Sequence, residues 1–201
     1  MVKIRRIFLK FIRKDLVSKV QSYLHGLKLK PNPVFISVHV RRTDYINWIE
    51  SMFKGKPVDS SYFLHSMSHF IGKFSNPIFL ITSDDLPWCR NNLVNNMTAG
   101  KILFPSDDLK TDSEEENVAI DLVTLAQANH SSKISQVIDF CNLSDHVSVY
   151  DYGSFGFLGS VMAGGEVLVA DGYSNKTHPI LQALRNKTPQ GWKLVDVKKI
   201  A

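Results

Sequence analysis

Val34-Phe-Ile-Ser-Val-His-Val40 is an unbroken run of apolar and β-branched residues, bounded by Pro33 on one side and by Arg41-Arg42-Thr43-Asp44 on the other. A run with so little polar alternation reads as a strand covered on both faces, as strands are in parallel sheets. Pro77-Ile-Phe-Leu-Ile-Thr82 and Lys101-Ile-Leu-Phe104 are of the same type, and Glu166-Val-Leu-Val-Ala170 closes the series. The stretches 60–73, 86–95, 116–128 and 155–163 between them pattern as helices, with Pro87 at a first-turn position and Asp84 and Asp85 placed to cap. Strand alternating with helix predicts an α/β fold with a mostly parallel sheet, whose ligands bind beyond the carboxyl ends of the strands.

Upstream of the first strand, Ile4, Ile7, Phe8, Phe11, Ile12, Leu16, Val20, Leu24 and Leu27 recur at three and four residues with cations between them. That spacing is an amphipathic helix, laid either on the core or on a membrane surface or partner, and Pro31 and Pro33 end it. The expected division is therefore a basic helical segment, 1–30, and a body, 31–201. The segment holds nine of the 24 Lys and Arg but one of the 19 acidic residues, net +8, so the body carries 15 against 18, net −3. A charge excess confined to one terminal segment argues against nucleic acid as the partner of the fold.

With 201 residues, 44% hydrophobic, the chain is long enough for one sizeable core, and 12 Phe, 3 Trp and 6 Tyr exclude a disordered polymer. No apolar run reaches the length of a membrane span. Cys89 and Cys141 are too few for a disulfide scaffold or a cysteine-based zinc site. Asn96, Asn129, Asn142, Asn175 and Asn186 begin Asn-x-Ser/Thr sequons, against about 1.6 expected from composition, which leans toward a secretory lumen. No signal peptide is readable at Met1, so a lumenal protein is expected to carry a further N-terminal piece.

The polar residues that follow each strand are the ones to weigh for chemistry. They are His39 and Arg41-Arg42-Thr43-Asp44, then Ser83-Asp84-Asp85, Ser106-Asp107-Asp108, and Asp171. Adjacent arginines at a strand tip need either a bound anion, phosphate above all, or an internal partner such as Asp44. Asp84-Asp85 has three readings: helix cap, metal ligand, or acceptor for the paired donors of a guanine edge. Ser154-Phe155-Gly156 reads as a tight turn feeding a helix whose free N–H groups suit phosphate. Asp-x-Asp, His-Glu-x-x-His, Gly-x-Gly-x-x-Gly, a Walker loop and Gly-x-Ser-x-Gly are all absent, so no metal site and no hydrolase triad is expected.

Val38-His-Val-Arg-Arg-Thr-Asp-Tyr45 resembles the His-Val-Arg-Arg-Gly-Asp-Tyr signature of galactoside α1,2-fucosyltransferases and the wider His-x-Arg-Arg-x-Asp theme of fucosyltransferases. Further blocks are similar in the same order: Phe79–Cys89, Ala119–His130 and Gly153–Glu166. The resemblance implies the Rossmann-like, donor-binding half of a GT-B-like glycosyltransferase that uses GDP-β-L-fucose, inverts to an α1,2 bond on a terminal galactoside, and needs no metal or cofactor. It implies Arg41 as the clamp on the β-phosphate and His39 as a contact near the guanosine. Asp84 or Asp85 would recognise guanine, Ser154, Phe155 and Gly156 would face the phosphates, and Arg42 and Asp44 would orient the clamp. It also implies a Golgi membrane enzyme, lumenal, with an anchor and a second lobe in a full-length form that this chain lacks.

Two departures qualify the resemblance. Thr43 replaces a glycine usual in the α1,2 branch, and an insertion at about 131–147, a loop or an unspliced intron, separates the last two blocks. Glu50, in what reads as a loop leaving the first strand, is the candidate catalytic base, its other reading being a solvated helix residue. A truncated, non-catalytic nucleotide-binding or interaction module is the alternative function.

Overall fold

Six strands form the sheet: β1 (Val34–Val40), β2 (Pro77–Ser83), β3 (Lys101–Leu103), β4 (Val147–Tyr150), β5 (Glu166–Asp171) and β6 (Trp192–Asp196). They lie in the order β3-β2-β1-β4-β5-β6, and every pairing is parallel. The computed structural model describes residues 10–95, 101–127, 147–150, 154–176 and 179–200, with 147–150 and 154 as backbone only.

Alternation along β1 sends its side chains to two different cores. Ile36, Val38 and Val40 pack with Phe79 and Ile81 of β2 against Tyr45 and Ile49 of α2 (Thr43–Phe53) and Tyr62, Phe63, Met67 and Phe70 of α3 (Ser60–Lys73). Cys89, at the end of the short α4 (Leu86–Cys89), is buried in the same cluster, and a π-helical turn, Arg90–Val94, follows it. On the opposite face Phe35, Ile78 and Leu80 meet Leu16, Val20 and Leu24 of α1 (Lys14–Gly26) and Ile120 and Val123 of α6 (Glu114–Gln127). Between β3 and α6 lies α5 (Pro105–Asp108). Farther along that face Val167 and Val169 of β5 pack on Leu181 and Leu184 of α8 (Pro179–Asn186), with Phe157 of α7 (Ser154–Ala163) beside them.

The crossover from β1 to β2 thus covers one face and that from β4 to β5 the other. The winding reverses between β1 and β4, the position at which open α/β sheets receive ligands. Of the amphipathic stripe read in the N-terminal sequence, Leu16, Val20 and Leu24 bury on this core and Phe11 is 84% exposed; Ile4, Ile7 and Phe8 lie outside the described residues. No helix among the described residues is long and apolar enough to cross a membrane.

The structure settles or extends the sequence reading at four elements. Residues 43–53 form helix α2, capped by the carboxylate that follows β2, so Glu50 is the solvated helix residue of its two readings. The chain adds β4 and, beyond Ala170, α8 and β6, which the strand and helix series of the sequence reading omitted. The eight residues of α8 bury only Leu181 and Leu184, and β6 is an edge strand buried at Trp192 alone, so neither has the continuous apolar signal of β1.

Two contacts fix how the layers meet. A Cβ on Gly159 would lie 2.7 Å from Leu125 Cδ1 and 2.9 Å from its Cβ, so α6 and α7 approach as closely as glycine allows. At the amino end of β5, the carboxylate of Glu166, 10% exposed, accepts from Lys73 of α3 and Lys193 of β6 at 2.7 Å each and pairs with His69 at 3.1 Å. Burial alone would raise the Glu166 pKa, but these hydrogen bonds outweigh it and bring it down to about 2.

Gly159→Ala is expected to overpack this contact and destabilise by about 1–3 kcal/mol, read as a fall of several degrees in Tm. Because the folded carboxyl titrates at about 2 rather than 4.5, the stability Glu166 confers is complete above pH 4.5 and is lost as the pH falls toward 2. Glu166→Gln should therefore lower the urea midpoint at pH 7, with the gap from wild type narrowing through that acid window.

Candidate functional site

At the carboxyl ends of β1 and β2 a single carboxylate holds the two strands' exits together. Asp84, the first residue beyond β2, accepts the Arg42 N–H at 2.8 Å on one oxygen. Its other oxygen accepts the Thr43 N–H at 3.0 Å and the Thr43 hydroxyl. Arg42 is the N-cap of α2 and offers no side-chain cap of its own, so these N–H groups would otherwise be orphaned at the helix start. Asp85 serves α4 in the same way, accepting the Trp88 N–H at 3.0 Å while its own N–H donates to Ser83 Oγ at 2.9 Å. Of the three readings open for Asp84-Asp85, capping is the one this geometry realises.

The two arginines part company at the strand tip. Arg42 is 15% exposed, with its guanidinium carbon 4.0 Å from the Trp88 ring centroid and Nε 3.6 Å from Asp85. Arg41 turns outward. It is 42% exposed, its Nη2 donates to both Asp44 oxygens at 2.8 and 2.9 Å, and its Nε lies 3.6 Å from Asp84. Asp44 is itself 73% exposed. Ion pairs this open contribute about 0.2–1 kcal/mol, so a multiply charged anion competes readily for the guanidinium.

His39 sits one step back from the tip, facing the side of the sheet opposite Val40. It is 7% exposed, and burial, reinforced by Arg41 and opposed by Asp84, lowers its pKa to about 4. The imidazole is therefore neutral at pH 7. Its ring centroid is 5.3 Å from that of Phe155, and its Nδ1 is buried with no hydrogen-bond partner among the described residues. Thr82, its register neighbour on β2, likewise has a buried hydroxyl without a partner. Two such atoms on adjacent strands, each carrying an unmade bond worth about 1–3 kcal/mol, make a place that a polar ligand would complete.

Ser154, Phe155 and Gly156 form the first turn of α7 itself rather than a turn ahead of it. The Phe155–His39 contact sets that helix start beside the tip of β1. The site therefore brings together His39, Arg41, Arg42, Asp44, Asp84, Asp85 and the α7 start. It leaves Glu50 apart: exposed on α2 six residues after Asp44, it stands about 9 Å farther along the helix. Asp121 went unremarked within its sequence block. It accepts the Ser106 hydroxyl below the tip, and burial together with Asp84 raises its pKa to about 6. The insertion at about 131–147, up to residue 146, lies outside the described residues, as do Cys141 and the sequons at Asn96, Asn129 and Asn142.

A parallel sheet of this order, with an outward arginine at its switch point, is an open α/β sheet of the kind that takes ligands beyond its strand tips, and sequence comparison gives its lineage. The profile of glycosyl transferase family 11 matches residues 6–132, and the chain belongs to that family. It is 27% identical over 169 residues to galactoside alpha-(1,2)-fucosyltransferase 2 of Mus musculus, covering 83% of this chain and 42% of that one. The Bos taurus protein of the same name gives the same figures, and galactoside 2-alpha-L-fucosyltransferase Sec1 of Mus musculus is 26% identical over 163 residues, 80% of this chain and 38% of that one. The chain thus spans about two-fifths of the length of these curated relatives.

Asp84→Ala should cost about 1–2 kcal/mol by stranding the first N–H groups of α2, and Asp85→Ala about 1 kcal/mol at α4. Urea unfolding of the two variants checks this, and an Asp84→Ala loss no larger than that of a surface aspartate would contradict the cap assignment.

Proposed function

We propose that the chain binds GDP-β-L-fucose between the tips of β1 and β4 and forms the donor half of a GT-B-like galactoside α1,2-fucosyltransferase that inverts at the anomeric carbon without a metal. The observation that carries this is Arg41: a guanidinium at the switch point, 42% exposed, and held among the described residues by an open pair with Asp44 and a longer one, 3.6 Å, with Asp84. Family membership and the relatives' names support the choice of sugar and linkage.

In this reading the diphosphate draws Arg41 from Asp44, and the α7 start adds its N–H groups. Fixed donors of this kind stabilise the negative charge that builds on the diphosphate as the bond to fucose breaks. Arg42, packed on Trp88 and drawn to Asp85, holds the backbone from which Arg41 projects. Neutral His39 and Thr82 offer their unmade hydrogen bonds to the nucleoside. Asp84 and Asp85, engaged as caps, act on the nucleotide through the loops they fix. The acceptor hydroxyl needs a carboxylate to take its proton; Asp44 adjoins Arg41, while Glu50 stands farther off.

A second lobe, in the length the relatives have beyond this match, shares the acceptor. Residues 1–30 are proposed as an element fused to the donor-binding body, 31–201. Residence in the Golgi lumen agrees with the exposure of Asn175 and Asn186, two of the five sequons.

Calorimetric titration with GDP tests the donor assignment. Wild type should bind, Arg41→Ala should lose at least about tenfold in affinity, and Arg42→Ala should lose less while unfolding at lower temperature. Near-wild-type binding by both variants would overturn the clamp. Any change of affinity between about pH 8 and pH 5 should follow the second ionisation of the terminal phosphate of GDP, because an imidazole with a pKa of about 4 does not change charge there. Incubation with GDP-fucose and lactose, read for a fucosylated trisaccharide by mass spectrometry, tests transfer.

A further inference from the structure

Helix α2 keeps Tyr45 and Ile49 in the core, yet carries two of the largest exposed apolar side chains of the described residues, Trp48 at 40% and Met52 at 55%. Asp44, Trp48 and Met52 follow one another at four-residue steps, which places them in one row along the helix. The row begins at the carboxylate that faces Arg41 and continues with the indole. Trp48 is held in place by its neighbours: its ring centroid lies 5.7 Å from that of Tyr45 and 4.9 Å from that of Phe53. A rigid aromatic plane beside an exposed acid, leading away from a phosphate clamp, calls for an explanation that core packing does not supply.

We infer that this row is the acceptor-binding face of the protein, with the Trp48 ring stacked on the apolar side of a galactopyranoside and the Asp44 carboxylate accepting one of its hydroxyl hydrogens. The inference rests on the proposed function and adds to it where the sugar lies. A pyranose is itself two-sided. In a galactoside the C–H groups at C3, C4 and C5 gather on one face, and their weakly positive hydrogens suit the negative face of an indole. The hydroxyls at the ring's edge suit a carboxylate, and Asp44 is 73% exposed to meet them. Binding pockets for small polar molecules commonly pair such an apolar wall with a few placed polar groups.

The row also links the two substrates. While Arg41 is paired with Asp44, both carboxylate oxygens are occupied by one guanidinium nitrogen. Once Arg41 turns to a diphosphate, that carboxylate is released on the side where Trp48 lies. The donor nucleotide should therefore strengthen acceptor binding, and by linkage the acceptor should strengthen nucleotide binding by the same factor.

Saturation-transfer NMR with lactose, at tens of millimolar and with and without GDP, tests the inference on the whole chain. Saturation should reach the galactosyl H3, H4 and H5 protons first, and GDP should increase it. Trp48→Ala should weaken lactose at least about tenfold, whereas Trp48→Phe, which keeps an aromatic face, should stay within about threefold of wild type. Asp44→Asn should weaken it and remove the GDP effect. GDP affinity and Tm are measured on each variant separately, so failure of GDP to bind wild type overturns the donor assignment without deciding the fate of Trp48. Lactose binding unchanged in a folded Trp48→Ala, or absent in wild type, overturns the inference. So does self-association that Trp48→Ala abolishes while lactose has no effect, which would make the row a contact between copies.

Discussion

The Asp84 carboxylate is the constraint on which the site depends. By taking the Arg42 and Thr43 N–H groups it starts α2 directly at the exit of β1, and by sitting at the exit of β2 it fixes that start relative to a second strand. Arg41 is the residue immediately before this anchor. Its backbone is therefore held between a buried strand and a capped helix, while its side chain remains outside both. Precision in the main chain and freedom in the guanidinium come from the same bond set.

The contrast between the paired arginines follows from what lies beside them. Trp88, one turn into the helix that Asp85 caps, offers Arg42 a face to stack on, so that residue is absorbed into packing. Among the described residues Arg41 meets Asp44, which is open to water, and the far edge of Asp84, which is partly buried and engaged by main-chain N–H groups. In sequence the two are adjacent and chemically identical. Which of them packs and which projects is decided by an aromatic residue more than forty positions away.

That distance also explains what could be read in the sequence. Strands β1, β2 and β5 carry their own signal, since a run such as Val34–Val40 suits the middle of a sheet, and α3 and α6 show their apolar period directly. Helix α2 does not. Thr43, Asn47, Ile46 and Ile49 are ordinary or weak helix formers, and its cap arrives from beyond another strand, so loop and helix both stay open in the sequence. The resemblance to fucosyltransferases named the residues at the tips of β1 and β2 without their geometry. The residues themselves offer capping for Asp84 and Asp85 and a solvated helix for Glu50, and both are realised, though Asp84 caps the helix after β1 and not its own.

Cys89 ends the short helix that Asp85 begins, and it is wholly buried among the aromatic residues of α3. Burial raises its thiol to a pKa of about 11, so at neutral pH about one molecule in ten thousand carries the thiolate that disulfide exchange requires. A sulfur packed in this way behaves as one more hydrocarbon neighbour. That packing leaves Cys89 unsuited to forming mixed disulfides at the base of the strand tips, although it is a free thiol.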